Sequence, residues 1–212
     1  MDGQKIPDET RYRISIGDLE MELLTPGQRE ESGDRISFWW GLTSAAVTLS
    51  RHLTGLGDLH GERVVELGCG LGLAGITAGL LGSRVTFTDY LPEALEFARG
   101  NCLLNHVDMD RTEFVRLDWE DPPAGTGFTM VIGSEIAYDY FTHGALIKLM
   151  ETATKPGGRI ILAERKRLAV SRFIGRMRNR GFASSETRYR LVSELGLPDQ
   201  EITIFTLDRS VS

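Results

Sequence analysis

Apolar and polar positions alternate from Arg11 to Leu24. Tyr12, Ile14 and Ile16 form one run and Leu19, Met21 and Leu23 another, with Gly17-Asp18 between them. A period of two around a turn dipeptide predicts a β-hairpin. Residues 25–34 show no period and read as a loop. Leu42, Ala46, Leu49 and Leu53 then recur at helical spacing, behind an entrance that carries Trp39 and Trp40. The pattern changes at Arg63. A short β-branched run (Val64, Val65, with Leu67) meets a glycine-dense turn, and a small-residue helical run follows from Leu73 to Leu81. A second strand with Val85 and Phe87 ends in Asp89. Strand, glycine loop, helix, strand is the first βαβ unit of a doubly wound sheet.

The alternation continues. Leu91, Leu95, Ala98 and Cys102 make one apolar helix stripe behind Pro92 and Glu93, which suit a first helical turn. Residues 112–117 (TEFVRL) and 128–133 (FTMVIG) read as strands. A helix is expected over about 140–154, stopped by Lys155-Pro156-Gly157-Gly158, and a strand over 159–163 (RIILA). Residues 182–191 and 201–207 look like a terminal antiparallel pair. No repeat or linker interrupts this order. The reading is a single domain over 1–212, with an N-terminal extension carrying the hairpin over 1–35 and a core over 36–212.

Composition narrows the picture little. The chain has 212 residues, 41% apolar and 25% charged, with a net charge of -6. These values suit an ordinary globular protein and make nucleic acid an unlikely partner for the molecule as a whole. Residues 1–11 lack the apolar segment of a leader, and no apolar run is long enough to span a bilayer. Cys69 and Cys102 read as free buried thiols, which suits a reducing cytoplasm. His52, His60, His106 and His143 show no metal spacing, so no metal site is expected. From Arg165 to Arg180 there are seven basic residues and no acidic one. That run is a solvated helix face or a docking surface for an acidic partner.

The chemistry concentrates at the carboxyl ends of the strands. Gly68, Gly70 and Gly72 let backbone approach a ligand closely, and the loop leads into a helix N-terminus that favours a negative group. Gly70 to Gly75 also spells G-x-G-x-x-G, the dinucleotide signature. With the strand ending at Leu67, however, the frame is E-x-G-x-G-x-G from Glu66 to Gly72. Asp89, Asp118 and Glu135 follow three successive strands, and three such acids aligned with a glycine loop suggest a nucleoside pocket.

The Glu66–Gly72 frame resembles motif I of the class I S-adenosylmethionine-dependent methyltransferases. From Ile36 to Lys166 the chain is similar to the seven-β-strand group that includes protein lysine methyltransferases. The matching pieces are Phe38-Trp39, VVELGCGLGLAGI, TDYLPEALEFARGN, the LDW of residues 117–119, Glu135 to Tyr138 as acid-x-x-Tyr, and the late P-G-G. The resemblance implies an α/β, Rossmann-like doubly wound fold. Its mostly parallel seven-stranded sheet has the last strand antiparallel, and the N-terminal β-hairpin is an addition.

The resemblance also implies roles. Glu66 and the Gly68–Gly72 loop hold the methionine end of S-adenosyl-L-methionine. Asp89 takes the ribose hydroxyls and Tyr90 flanks the adenine. Asp118 accepts from the adenine amino group, with the Trp119 backbone near the ring. Trp39 lines the pocket, and Ser134 emerges beside the glycine loop. Glu135 and Tyr138 stand at the catalytic end, Glu135 to orient an amine and Tyr138 to shape the channel. One departure is Thr43-Ser44, where many relatives carry Trp-Pro. The expected activity is N-methylation of a protein lysine. The alternative acceptor is a small molecule methylated on N or O. A nicotinamide dehydrogenase or a non-catalytic adenosyl-binding module are the readings from other classes.

Overall fold

The computed structural model describes residues 10–26, 41–121, 127–191, 197 and 199–209. The Trp39-Trp40 entrance and most of the loop over 25–34 fall outside them. The hairpin is β1 (Thr10–Ile16) and β2 (Leu19–Thr25), paired in register from Thr10↔Thr25 to Ile16↔Leu19. After α1 (Ser44–Leu56) come β3 (Arg63–Leu67), α2 (Leu73–Leu80), β4 (Arg84–Asp89), α3 (Pro92–Leu104) and β5 (Thr112–Arg116). The second half is β6 (Phe128–Ser134), α4 (His143–Ala153), β7 (Thr154–Arg165), α5 (Leu168–Arg178), β8 (Phe182–Leu191) and β9 (Gln200–Arg209).

Strands β3 to β9 form one seven-stranded sheet in the order β5-β4-β3-β6-β7-β9-β8. β3 pairs in parallel with both β4 and β6, and β9 runs antiparallel to both its neighbours. Strand order therefore reverses between β3 and β6, and in an open α/β sheet ligands bind at the carboxyl ends beside such a reversal.

Alternating side chains feed two cores, one on each face of the sheet. Val64, Met130, Ile132 and Ile161 join α1, α2, α3 and the hairpin. Val65, Leu67, Val131, Ile160 and Leu162 face α4 and α5. Both Cys69 and Cys102 are buried thiols. No helix among the described residues is long and apolar enough to cross a membrane.

Two local expectations change. Thr43 is the N-cap of α1, its hydroxyl accepting from the Ala46 N–H at 3.1 Å. The departure at Thr43-Ser44 thus supplies a helix start, because an exposed helix N–H needs an acceptor there. Lys155 to Gly158 is also no separate stop. β7 begins at Thr154, and its register with β6 jumps from Phe128↔Thr154 to Met130↔Arg159. Pro156 lacks a ladder N–H and Gly157 sits at φ 73, so the extra residues bulge out of the strand.

The hairpin is held to the body by side chains that stand in for a strand. Asn105 accepts from the Glu22 N–H at 2.8 Å and donates to the Glu22 carbonyl at 2.6 Å. Asn101, one helical turn earlier, accepts from the Leu24 N–H at 2.7 Å and donates to the Leu24 carbonyl at 3.1 Å. These two amides satisfy the outward backbone groups of β2 that an open edge would leave unpaired.

Candidate functional site

β3 ends at Leu67, and Gly68, Gly70 and Gly72 all take positive φ, at 64°, 51° and 82°. The turn thus begins at Gly68, as the Glu66–Gly72 frame requires. Gly72 is the N-cap of α2 in the left-handed conformation and has no side chain to cap it. Glu66 supplies the missing acceptor from the strand, its Oε2 taking the Gly75 N–H at 3.0 Å. The space for this contact exists because Gly75 lacks a Cβ, which would lie 2.6 Å from that oxygen.

Glu66 is only 2% exposed. Burial pushes its carboxyl up to about 8, with the Gly75 bond working against that and the charge of Asp89 adding to it. The side chain is turned under the glycine loop, toward the first turn of α2. Glu66 fixes the loop from beneath.

Asp89, at the end of β4, closes the same loop from the other side. Its Oδ2 accepts from the Gly70 N–H and its Oδ1 from the Leu91 N–H, both at 3.0 Å. Burial raises its pKa, and those backbone bonds oppose the rise. The Tyr90 N–H adds a third backbone contact to this carboxylate. Tyr90 is exposed, with the Arg116 guanidinium 5.3 Å from its ring centroid. Asp118 is exposed and turns back to accept from the Glu120 N–H at 3.0 Å. The Trp119 indole lies against the loop, since a Cβ on Gly68 would meet its Cζ2 at 3.8 Å and the Ile136 side chain at 3.1 Å.

Across the switch point, Gly133 pairs with Leu67, so half-buried Ser134 and Glu135 emerge beside the glycine loop. Glu135 has φ 54, a rare conformation outside glycine. Its side chain does not stand free. Oε1 accepts from the Arg165 N–H at 2.7 Å, and Oε2 accepts from Arg165 Nε at 2.7 Å and Arg167 Nη2 at 3.0 Å. Arg165 and Arg167 alternate along the chain and so leave the end of β7 on one side. A lone carboxylate waiting for an amine is therefore not what the structure contains. Tyr138, three residues on, is 47% exposed.

Glu164 is a residue that sequence reasoning missed. It is fully buried at the end of β7, and its Oε1 accepts from both the Ile136 and Ala137 N–H groups, at 2.8 and 2.9 Å. Its Oε2 has no hydrogen-bond partner among the described residues. Burial pushes the carboxyl up to about 8; the Ala137 bond opposes this and the Glu135 charge adds to it. His143 Nε2 lies 3.0 Å from the Ala137 carbonyl, so the loop after Glu135 is pinned from two sides. The residues Asp118, Asp89, Glu66, Glu135 and Glu164 thus end five neighbouring strands in one row. Trp39 lies outside the described residues.

Two shallow depressions open elsewhere. One is lined by Glu62, Thr129, Lys155 and Arg159, and the other by Arg63, Arg84, Asp110 and Glu113. Both sit at the amino ends of the strands, away from the glycine loop, where this architecture binds no ligand. Among the described residues no group of three or more His, Cys, Asp and Glu side chains could hold a metal ion.

Comparison with known proteins gives a consistent match. The family model described as lysine methyltransferase fits residues 30–180. The protein N-lysine methyltransferase METTL21A of Danio rerio is 38% identical over 154 residues, which is 68% of this chain and 69% of that protein. The histidine protein methyltransferase 1 homolog of Dictyostelium discoideum is 32% identical over 112 residues, 51% of this chain and 36% of that one. Among solved structures, the tRNA (uracil-54, C5)-methyltransferase of Pyrococcus abyssi, in complex with S-adenosyl-L-homocysteine, superposes with a TM-score of 0.65. It is 22% identical, covering 93% of this chain and 44% of that chain. That likeness is one of fold.

Proposed function

Because this chain belongs to the lysine methyltransferase family, we propose that it moves a methyl group from S-adenosylmethionine to the side-chain amine of a lysine in another protein. It is an S-adenosylmethionine-dependent methyltransferase. The observation that carries the reading is the Leu67↔Gly133 pairing at the β3–β6 switch point, from which the glycine loop and the Glu135–Tyr138 segment leave side by side. One wall suits a nucleoside and the other an acceptor.

The residues present fit the cofactor. Gly68 offers bare backbone in a cradle that a Cβ would fill toward Ile136. Asp89 takes the ribose side, and the loop it closes opens onto α2. Glu66 and Asp89 hold the loop; Asp118, Tyr90 and the Trp119 backbone take the adenine side. Ser134 borders the methionine end. When bound, the cofactor supplies a methyl group on a sulfonium, already electrophilic, so the protein's work is alignment and desolvation.

A lysine amine has a reference pKa of about 10.4 and must lose a proton before it attacks. Tyr138 and the loop after Glu135 narrow the approach and strip water from the amine, which lowers that pKa. Glu135, oriented by Arg165 and Arg167, keeps one acceptor site on Oε1 for an amine N–H. Its role is to position the lone pair, with the released proton passing to water at the mouth.

The test is incubation of the protein with methyl-labelled S-adenosylmethionine and a lysate. Label in a protein band is the expected result. Label confined to small molecules would replace this reading with that of a small-molecule methyltransferase.

A further inference from the structure

The run of seven basic residues divides in the structure according to what each side chain touches. Arg165 and Arg167 hold Glu135. Arg178 lies 3.6 Å from Glu186, and Arg180 lies 2.8 Å from Glu151. No carboxylate among the described residues is within ion-pair distance of Lys166, Arg172 or Arg176. On α5, Ala169, Val170, Phe173, Ile174 and Met177 are buried. Leu168, Arg172 and Arg176 recur every fourth residue on the opposite, exposed stripe.

This stripe is continuous with the acceptor end of the site. The Arg172 guanidinium lies 5.3 Å from the centroid of the Tyr140 ring. Tyr140 follows Tyr138, and the next residue, Phe141, is 94% exposed, while Leu168 is 65% exposed. Large apolar side chains seldom stand this open together without a partner. The surroundings are cationic in a molecule whose net charge is -6. Lys166, Arg172 and Arg176 join the two arginines of the Glu135 cluster, against the carboxylates of Glu135 and Asp139.

We propose that the Leu168–Arg172–Arg176 stripe and the Tyr138–Phe141 loop dock an acidic, aliphatic-containing segment of the methyl-accepting protein, beside its target lysine. This rests on the protein-lysine reading above and adds the chemistry of the segment. Carboxylates answer Lys166, Arg172 and Arg176, and an apolar side chain covers Leu168 and Phe141. A nucleic acid suits the patch less well. Three cations without a carboxylate partner among the described residues make a short electrostatic track, one face of Tyr140 is taken by Arg172, and an aliphatic Leu168 offers no stacking surface.

The probes are short fluorescent peptides with one lysine, flanked either by glutamates and a leucine or by glutamines and a leucine, and a labelled oligouridylate. Binding is read by anisotropy on protein loaded with S-adenosylhomocysteine. The glutamate peptide binds, binding weakens with added salt, and the double variant Arg172→Glu/Arg176→Glu lowers affinity on the order of tenfold or more. Cofactor affinity of that variant stays at the wild-type value and certifies its fold. Equal binding of the glutamine peptide, equal binding by the variant, or preference for the RNA would overturn the proposal.

Methyl transfer is scored separately, so the two failures are distinguishable. Label entering both peptides equally removes the docking surface and leaves lysine methylation standing. Docking of the glutamate peptide with label appearing only outside lysine keeps the surface and removes the lysine reading.

Discussion

The Asn101 side-chain amide donates to the Leu71 carbonyl at 3.0 Å and, through its other N–H, to the Leu24 carbonyl at 3.1 Å. One buried helix residue thereby ties the N-terminal hairpin to the glycine loop. The loop's shape depends on a segment that contributes nothing to the main sheet.

Replacing Asn101 by Ala leaves the Leu24 N–H and the Leu24 and Leu71 carbonyls short of partners. A buried polar group left unsatisfied costs about 1–3 kcal/mol. The expected loss is on the order of 2–4 kcal/mol, with weaker cofactor binding as the loop loosens. Urea unfolding measures it. A shift in stability within experimental error would mean that the hairpin and loop are held independently.

Gly75→Ala places a Cβ 2.3 Å from Phe87 Cε1 and 2.6 Å from Glu66 Oε2. Alanine gains roughly 1 kcal/mol in helix propensity over glycine. Overpacking a rigid aromatic ring typically costs about 1–3 kcal/mol, and here the Glu66–Gly75 bond is displaced as well. The variant is expected to be less stable than wild type. A more stable variant would show that α2 can lift from β4 freely.

Asp89→Asn tests the ribose side. It keeps one acceptor but presents an amide hydrogen toward the Gly70 or Leu91 N–H. Hydrogen bonds to a charged group are worth about 1.5–3 kcal/mol. Affinity for S-adenosylhomocysteine is expected to fall roughly tenfold to a hundredfold in titration calorimetry. Unchanged affinity in the folded variant would remove Asp89 from the site.

Glu66 and Glu164 govern a pH dependence. Burial raises both to about 8, against an ordinary 4.5, so the folded state binds more protons than the unfolded chain across that interval. Stability from these groups is full below 4.5 and is lost as pH rises toward 8. Asp89, also raised, acts with the same sign. His52, lowered from 6.5 by burial, acts with the opposite sign. The clear window is therefore 6.5 to 8, where stability of the cofactor-free protein falls with pH. Each group contributes at most about 1.4 kcal/mol per pH unit. Glu164→Gln should flatten the slope while keeping activity closer to wild type than Glu164→Ala, which releases the Ile136 and Ala137 N–H groups. An unchanged slope in Glu164→Gln would mean that Glu164 is ionised throughout.

The βαβ unit was legible because its signals are local: a β-branched run, glycines at the turn, and an acid at the next strand's end. The row Asp89, Asp118 and Glu135 followed from the same logic. What Glu135 touches was not legible, because Arg165 and Arg167 lie thirty residues away and meet it only when β6 and β7 pair. Glu164 was hidden for a related reason. In the run ILAER it reads as an ordinary polar strand end, and nothing local says that its carboxylate turns inward. Asn101 and Asn105 left a trace that could have been followed. They sit at helical spacing beside the apolar stripe of Ala98 and Cys102, where polar residues need buried partners. The Lys155–Gly158 segment was misread because Pro and Gly mark a bulge in a strand as readily as a turn.

The atom that receives the methyl group defines what this protein does. The most direct measurement is transfer from methyl-labelled S-adenosylmethionine into lysate proteins, followed by complete hydrolysis and chromatographic identification of the labelled amino acid. Label in methyllysine is the predicted result. Label in methylhistidine, or none in any amino acid, would contradict the assignment of this enzyme as a protein lysine methyltransferase.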